Sequence, residues 1–130
     1  MKAIRFSTFL ALALPAIAPA ADFAAFARAV HQVESGGRVG LIIGDQGRAL
    51  GPLQIHRGYW QDARQPGDYQ SVTNLAVATA TMHAYLRRYA PAALAREDWI
   101  ACARVHQGGP RGGSKNATLA YSRRVISVMR

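Results

Sequence analysis

The first strong pattern along the chain is an apolar stripe at helical spacing. It consists of Phe23, Phe26, Val30 and Val33. Steps of three and four residues place such side chains on one face of an α-helix. Asp22 is suited to cap the N-terminus of this helix, and Gly36-Gly37 to end it. The sequence therefore predicts a helix from Phe23 to Val33, with Glu34 in its last turn.

The next segment has the pattern of a small β-hairpin. A short apolar run from Val39 to Ile43 is followed by the turn residues Gly44-Asp45-Gln46-Gly47 and then by Arg48-Ala49-Leu50. The stretch from Gly51 to Trp60 is mixed in character. Pro52 favours the first turn of a helix, so we predict a short helix that begins there.

Helical periodicity dominates the rest of the chain. The longest predicted helix runs from Ser71 to Tyr89 and ends before Pro91; a second begins near Glu97-Asp98 and reaches His106, and a last one spans Leu119 to Met129. On the longest helix we predict that one stripe faces the core: Val72, Leu75, Thr79, Met82, Leu86 and Tyr89. Gly108 to Gly113 is a predicted loop. The predicted fold class is mainly α, with four to five helices and a small hairpin.

The N-terminus adds a targeting signal to a single domain of 130 residues. Lys2 and Arg5 precede the apolar run Phe9 to Leu14, and Ala18-Pro19-Ala20 resembles a cleavage site. The apolar run is too short to span a membrane, so cleavage is favoured over an N-terminal anchor. We therefore expect a signal peptide at 1–20, a mature domain at 21–130 in the periplasm or secreted, and no stable membrane insertion after cleavage.

The charge of the chain limits the classes of partner that it suits, and its cysteine content limits how the fold can be stabilised. Cleavage leaves 14 basic and seven acidic residues, a formal charge of +7. Such a surplus favours a polyanionic partner, and export favours anionic cell-envelope polymers over nucleic acid. Cys102 is the only cysteine, so no intrachain disulfide forms, and its apolar context predicts a buried, inert thiol. The four histidines show no metal-ligand spacing; we expect no metal, no cofactor and a monomer.

Two carboxylates have local sequences that suit acid–base chemistry. Glu34 borders an apolar helix face at the negative end of the helix dipole, and both features favour a protonated carboxyl, as a general acid requires. Asp45, eleven residues later in a glycine-flanked turn, is suited to remain ionised. Glycoside hydrolysis uses such a pair. A solvent-facing glutamate and an aspartate that merely favours its turn are the alternatives.

Two separated blocks of the chain resemble the invertebrate-type (destabilase-like) lysozymes. The first is Val33-Glu34-Ser35-Gly36, then Asp45, then Gly51-Pro52-Leu53-Gln54-Ile55 with Tyr59-Trp60. The second is Ala103 to Gly112, which contains His106-Gln107-Gly108-Gly109-Pro110, followed by Thr118-Leu119-Ala120-Tyr121. The resemblance covers nearly all of the mature chain. It implies an α+β lysozyme-like fold whose hairpin borders an active-site cleft, with Glu34 as general acid and Asp45 as nucleophile or charge stabiliser.

The same resemblance suggests further cleft residues and two departures. Gln54 is a candidate for binding sugar hydroxyls, or else a structural amide; Tyr59 is a candidate sugar-stacking ring, and His106, Gly108 and Gly109 are candidates for close approach to a saccharide. The family is disulfide-rich, whereas this chain must rely on packing. Some members are credited with isopeptidase activity through a serine after the aspartate, but residues 46–50 contain none.

Three functions remain open from the sequence. The favoured one is an exported muramidase that cleaves the β-1,4 bond between N-acetylmuramic acid and N-acetylglucosamine in peptidoglycan. The second is a lytic transglycosylase that uses Glu34 alone and forms an anhydro product. The third is a non-catalytic module that binds the cell wall or an inhibitor.

Overall fold

The computed structural model describes residues 22–129. The predicted signal peptide at 1–20 lies outside them, as do Ala21 and Arg130. The described part contains six α-helices and a three-stranded antiparallel sheet, so the mainly α fold class is confirmed. The helices are α1 (Phe23–Ser35), α2 (Arg57–Ala63), α3 (Leu75–Tyr89), α4 (Pro91–Ala95), α5 (Trp99–Gly108) and α6 (Ala117–Val128). The strands are β1 (Ile43–Gly44), β2 (Ala49–Leu50) and β3 (Ile55–His56), in that order across the sheet.

Helix α1 forms as its sequence predicts. The Asp22 side chain accepts a hydrogen bond from the backbone N–H of Ala25, and Gly36 ends the helix in the left-handed conformation. Phe26 and Val30 on its apolar face are fully buried. Glu34 therefore occupies the last turn of a well-anchored helix.

The sheet differs from the predicted hairpin at both ends. Val39 and Leu41 are 67% and 71% exposed and lie outside any strand, because pairing begins only where Ile43 faces Leu50. The helix predicted from Pro52 is also wrong. Gly51 (φ 80°) and Gln54 (φ 51°) both adopt the left-handed region, which reverses the chain and adds β3 to the sheet.

The predicted long helix from Ser71 is interrupted near its start. Tyr69–Thr73 forms a 3₁₀ helix, and extended Asn74 separates it from α3, whose first turn it caps by accepting from the N–H of Val77. Met82 and Leu86 are fully buried as predicted, whereas Thr79 is partly exposed. Ala78 and Tyr85 take part in the core instead.

Packing contacts hold the N-terminal helix against the last two helices. The Phe26 ring on α1 stacks on Trp99 of α5 with centroids 5.0 Å apart. Helix α6 packs against both α5 and α1. The C-terminal helix thereby lies beside the last turn of α1, where Glu34 is located. Within residues 22–129, no helix has the length and apolarity needed to cross a membrane.

Candidate active site

A cleft of about 560 Å³ lies between the sheet and the helices. It brings together the seven residues that the sequence predicted for the site. They are Glu34, Asp45, Gln54, Tyr59, His106, Gly108 and Gly109. Glu34 comes from the end of α1, Asp45 from the turn between β1 and β2, and His106 from α5. Residues distant in sequence thus share one cavity.

Glu34 is held by partners from the C-terminal half of the chain. The Tyr121 hydroxyl donates a hydrogen bond of 2.6 Å to its Oε1, and His106 Nε2 lies 3.7 Å from the same oxygen. The Glu34 side chain is 21% exposed, so it reaches the cleft from a largely buried position. This is the partly desolvated setting that its sequence context predicted.

Two tyrosines near Glu34 are kept protonated by their surroundings. Burial, followed by the nearby Glu34 charge, raises the pKa of the Tyr121 hydroxyl well above its ordinary value. Burial and the neighbouring Tyr85 and Glu34 also raise the pKa of Tyr59. Both hydroxyls are therefore available as hydrogen-bond donors over the physiological pH range.

Tyr59 contacts both α3 and α5. Its hydroxyl lies 2.7 Å from His106 Nδ1, and its ring stacks on Tyr85 with centroids 3.7 Å apart. One face of the Tyr59 ring is thus already covered by protein. The structure gives this ring a packing role beside His106, in addition to its place in the cleft wall.

Asp45 lies in a more open and more polar setting than Glu34. Its carboxylate bridges Arg48 at 2.8 Å and His56 at 3.1 Å, and its side chain is 43% exposed. The backbone of Asp45 adopts the left-handed region, with φ 47°. The carboxylate oxygens of Asp45 therefore face polar partners and solvent. The two cleft carboxylates therefore occupy contrasting environments.

Gln54 and the two glycines shape the remaining walls. Gln54 Nε2 donates to the carbonyls of Gly51 and Ile42, at 2.9 and 3.2 Å. The amide nitrogen of Gln54 therefore has a structural role, which is the alternative to sugar binding. A side chain on Gly108 would lie 2.6 Å from Thr118 Cγ2, and Gly109 has φ 81°. Both positions therefore favour glycine, Gly108 because of its close approach to Thr118 and Gly109 because of its backbone conformation.

No family model matches the chain, but individual relatives do. The chain is 38% identical to Lysozyme 1 of Crassostrea virginica. The match covers 75% of the chain and 55% of that protein, so the chain spans about half the length of this relative. It is 33% identical to a lysozyme of Magallana gigas over 75% of its own length and 74% of that protein. The chain belongs to the invertebrate-type lysozyme family. The crystal structure of Tapes japonica lysozyme agrees, with a TM-score of 0.66, 28% identity, and 84% and 92% of the two chains covered.

The chain has a single cysteine, whereas the resemblance to the family implied a disulfide framework. Cys102 is fully buried on α5, as predicted. Burial, together with the charge of Asp98, raises the pKa of its thiol to about 11. A buried neutral thiol is a poor nucleophile, which fits a packing role.

Sequence reasoning missed several groups in and around the lysozyme cleft. Tyr121, His56, Arg48 and Tyr85 were not predicted as site residues. Tyr121 did lie in the second matched block, which was the available signal, and His56 follows the Gln54-Ile55 pair directly. Among residues 22–129, no group of three or more His, Cys, Asp or Glu side chains gathers where it would hold a metal ion.

Proposed function

We propose that this protein is an exported muramidase that cleaves the β-1,4 bond between N-acetylmuramic acid and N-acetylglucosamine in peptidoglycan. The observation that carries the proposal is the pair of carboxylates in one cleft, with Glu34 largely buried and Asp45 half-exposed between Arg48 and His56. Contrasting environments are what separate an acid from an ionised partner in glycosidases. Family membership supports the same reaction class.

Glu34 acts as the general acid in this proposal. Its proton passes to the glycosidic oxygen as the C1–O bond breaks, and the bond's electron pair leaves with that oxygen. Positive charge then develops on the sugar ring. Asp45 stabilises that charge or attacks C1 directly, and water completes hydrolysis to a reducing end. The Gly108-Gly109 backbone and Gln54 line the path of the glycan.

The charge of the mature domain supports an envelope substrate. Fourteen basic and seven acidic residues remain after the predicted cleavage. The stem peptides of peptidoglycan carry carboxylates, so a cationic protein is drawn to the polymer. We infer a periplasmic or secreted location from the predicted signal peptide. The isopeptidase activity credited to some relatives is not proposed, since residues 46–50 lack the serine.

The decisive experiment is mass analysis of fragments released from purified peptidoglycan by the wild type, Glu34→Gln and Glu97→Gln. Glu97 is exposed and outside the cleft, so it controls for the chemical change. Glu34→Gln is expected to slow release by roughly 10²–10⁴-fold, the usual weight of acid catalysis. Near-normal activity in folded Glu34→Gln would refute the mechanism.

The same mass spectra separate the competing functions. Reducing muramic acid ends support hydrolysis with Asp45 participating. Anhydro ends, lighter by one water, indicate a transglycosylase in which Glu34 acts alone. No release from several wall types by the wild type would favour a binding module.

A further inference from the structure

The two carboxyl oxygens of Glu34 have different surroundings. Oε1 accepts the 2.6 Å hydrogen bond from Tyr121 and faces His106 Nε2 at 3.7 Å. Within residues 22–129, no hydrogen bond reaches Oε2. Glu34 lines the cleft, so Oε2 is the oxygen left available to a bound saccharide.

The tautomer of His106 follows from its two neighbours. Tyr59 keeps its proton and lies 2.7 Å from Nδ1, so its hydroxyl is able to donate to that nitrogen. With Nδ1 accepting from Tyr59, Nε2 is the ring nitrogen that carries a proton. This arrangement directs an N–H towards Oε1. The opposite tautomer would direct a lone pair at a carboxylate oxygen, which is repulsive when Glu34 is ionised.

We propose that Tyr121 is a positioning residue for Glu34 and that His106, oriented by Tyr59, assists it. Two donors directed at Oε1 keep the acidic proton of Glu34 on Oε2, where it faces the glycosidic oxygen. The inference rests on the proposed function and deepens it, because it assigns the proton to one atom.

These donors also act after the proton has left. When Oε2–H transfers its proton to the glycosidic oxygen, Glu34 becomes a carboxylate. Tyr121 and His106 then stabilise the new negative charge through Oε1, without having to move. Their interaction strengthens as charge develops, so it lowers the barrier rather than merely tightening substrate binding.

Within residues 22–129, the titratable groups placed beside Glu34 come from three elements, and Asp45 lines the same cleft from the turn between β1 and β2. Those beside Glu34 are Tyr121 from α6, His106 from α5 and Tyr59 from α2. Removing the Tyr121 donor makes ionisation of Glu34 less favourable. The alkaline limb of the activity profile, which reports loss of the acidic proton, must therefore move to higher pH.

Tyr121→Phe is the direct test, because it removes the hydroxyl and keeps the buried ring. We expect kcat on soluble peptidoglycan fragments to fall roughly tenfold with KM within about twofold, and the alkaline limb to rise by roughly one pH unit. Tyr69→Phe is the matched control. Tyr69 is also buried, but its hydroxyl bonds the backbone of Ile55 and it does not line the cleft.

The possible outcomes are distinct. An unchanged pH profile in folded Tyr121→Phe, or a kcat loss no larger than that of Tyr69→Phe, would overturn the inference. If Tyr121→Phe does not fold, Tyr59→Phe is the test instead. We expect its alkaline limb to shift in the same direction by a smaller amount, and no shift would refute the positioning of Glu34 through His106 and Tyr59. Wild-type protein that releases nothing from peptidoglycan would overturn the proposed function itself, whereas an active wild type with an unaltered Tyr121→Phe would remove the positioning role alone.

Discussion

Gly112 and Gly113 allow a stability test, because the same substitution of glycine by alanine would have different surroundings at the two positions. A Cβ at Gly112 would overlap the carbonyl oxygen of Arg104 and lie 2.6 Å from its carbonyl carbon and 2.9 Å from Val105 Cα. These atoms belong to the backbone of α5, so no side-chain rotation relieves the overlap. A Cβ at Gly113 meets nothing within 4 Å. Neither glycine has a positive φ, so conformational strain does not separate the two positions.

The expected magnitude follows from two opposing effects. Overpacking of this kind costs about 1–3 kcal/mol, and a rigid backbone obstacle places Gly112→Ala near the upper end. In either variant, alanine reduces the conformational freedom of the unfolded chain, which stabilises the folded state by about 0.5 kcal/mol. Gly112→Ala should therefore lower the free energy of unfolding by about 2.5 kcal/mol, and its melting temperature by roughly 10 °C. Gly113→Ala should be neutral or slightly stabilising.

Thermal melts followed by circular dichroism, with urea unfolding at one temperature, measure both quantities. Equal stabilities for the two variants would refute the close approach of the 112–114 turn to α5. A large loss at Gly113 with none at Gly112 would refute it equally.

Asp45→Asn should lower peptidoglycan release by roughly 10²-fold or more, because a neutral amide neither attacks C1 nor stabilises positive charge. Asp68→Asn is the control and should leave the release rate unchanged, because Asp68 lies outside the cleft and asparagine can still cap its turn. Equal rates for these two variants would exclude a role for Asp45. The raised pKa of Cys102, about 11, means that the folded state holds the thiol proton more tightly than the unfolded state does, so this contribution to stability is complete below about pH 9 and is lost as the pH rises towards 11. Urea unfolding across that range should show a steeper decline for the wild type than for Cys102→Ala, and parallel curves would contradict the burial argument. Binding to purified sacculi should weaken with added salt, because exposed charges are screened over about 8 Å at physiological ionic strength. Salt-independent sedimentation would show that the basic surplus serves another purpose.

The helices with local signals were predictable from sequence. Asp22 and Gly36 fix the ends of α1 through hydrogen bonds within a few residues, and Asp98 similarly caps α5. The third strand was not predictable in this way. It depends on Gln54 adopting a left-handed conformation, which a non-glycine residue seldom does without tertiary support. The interruption before α3 did have a local signal, because Asn74 is a preferred N-cap residue, and the helix predicted from Ser71 extended past that signal.

The candidate site shows the same difference between features that have local sequence signals and features that depend on tertiary structure. Glu34 and Asp45 were predicted from the chemistry of their surroundings and from the matched blocks, and the structure places both in one cleft. Tyr121 was missed because its bond to Glu34 joins residues 87 positions apart. Only the packing of α6 against α1 creates that contact. Residue type, spacing and the matched blocks therefore pointed to the two carboxylates that share the cleft, whereas their immediate partners required tertiary structure.

The contact between Glu34 and α6 has a consequence for when the candidate site forms during synthesis. A chain is synthesised from its N-terminus, so the acid emerges long before the tyrosine that contacts it. Until α6 docks, Glu34 lacks the hydrogen bond from the Tyr121 hydroxyl. The arrangement that we propose for catalysis is therefore complete only once the C-terminal part of the domain has folded, so a chain interrupted before α6 should have lower activity.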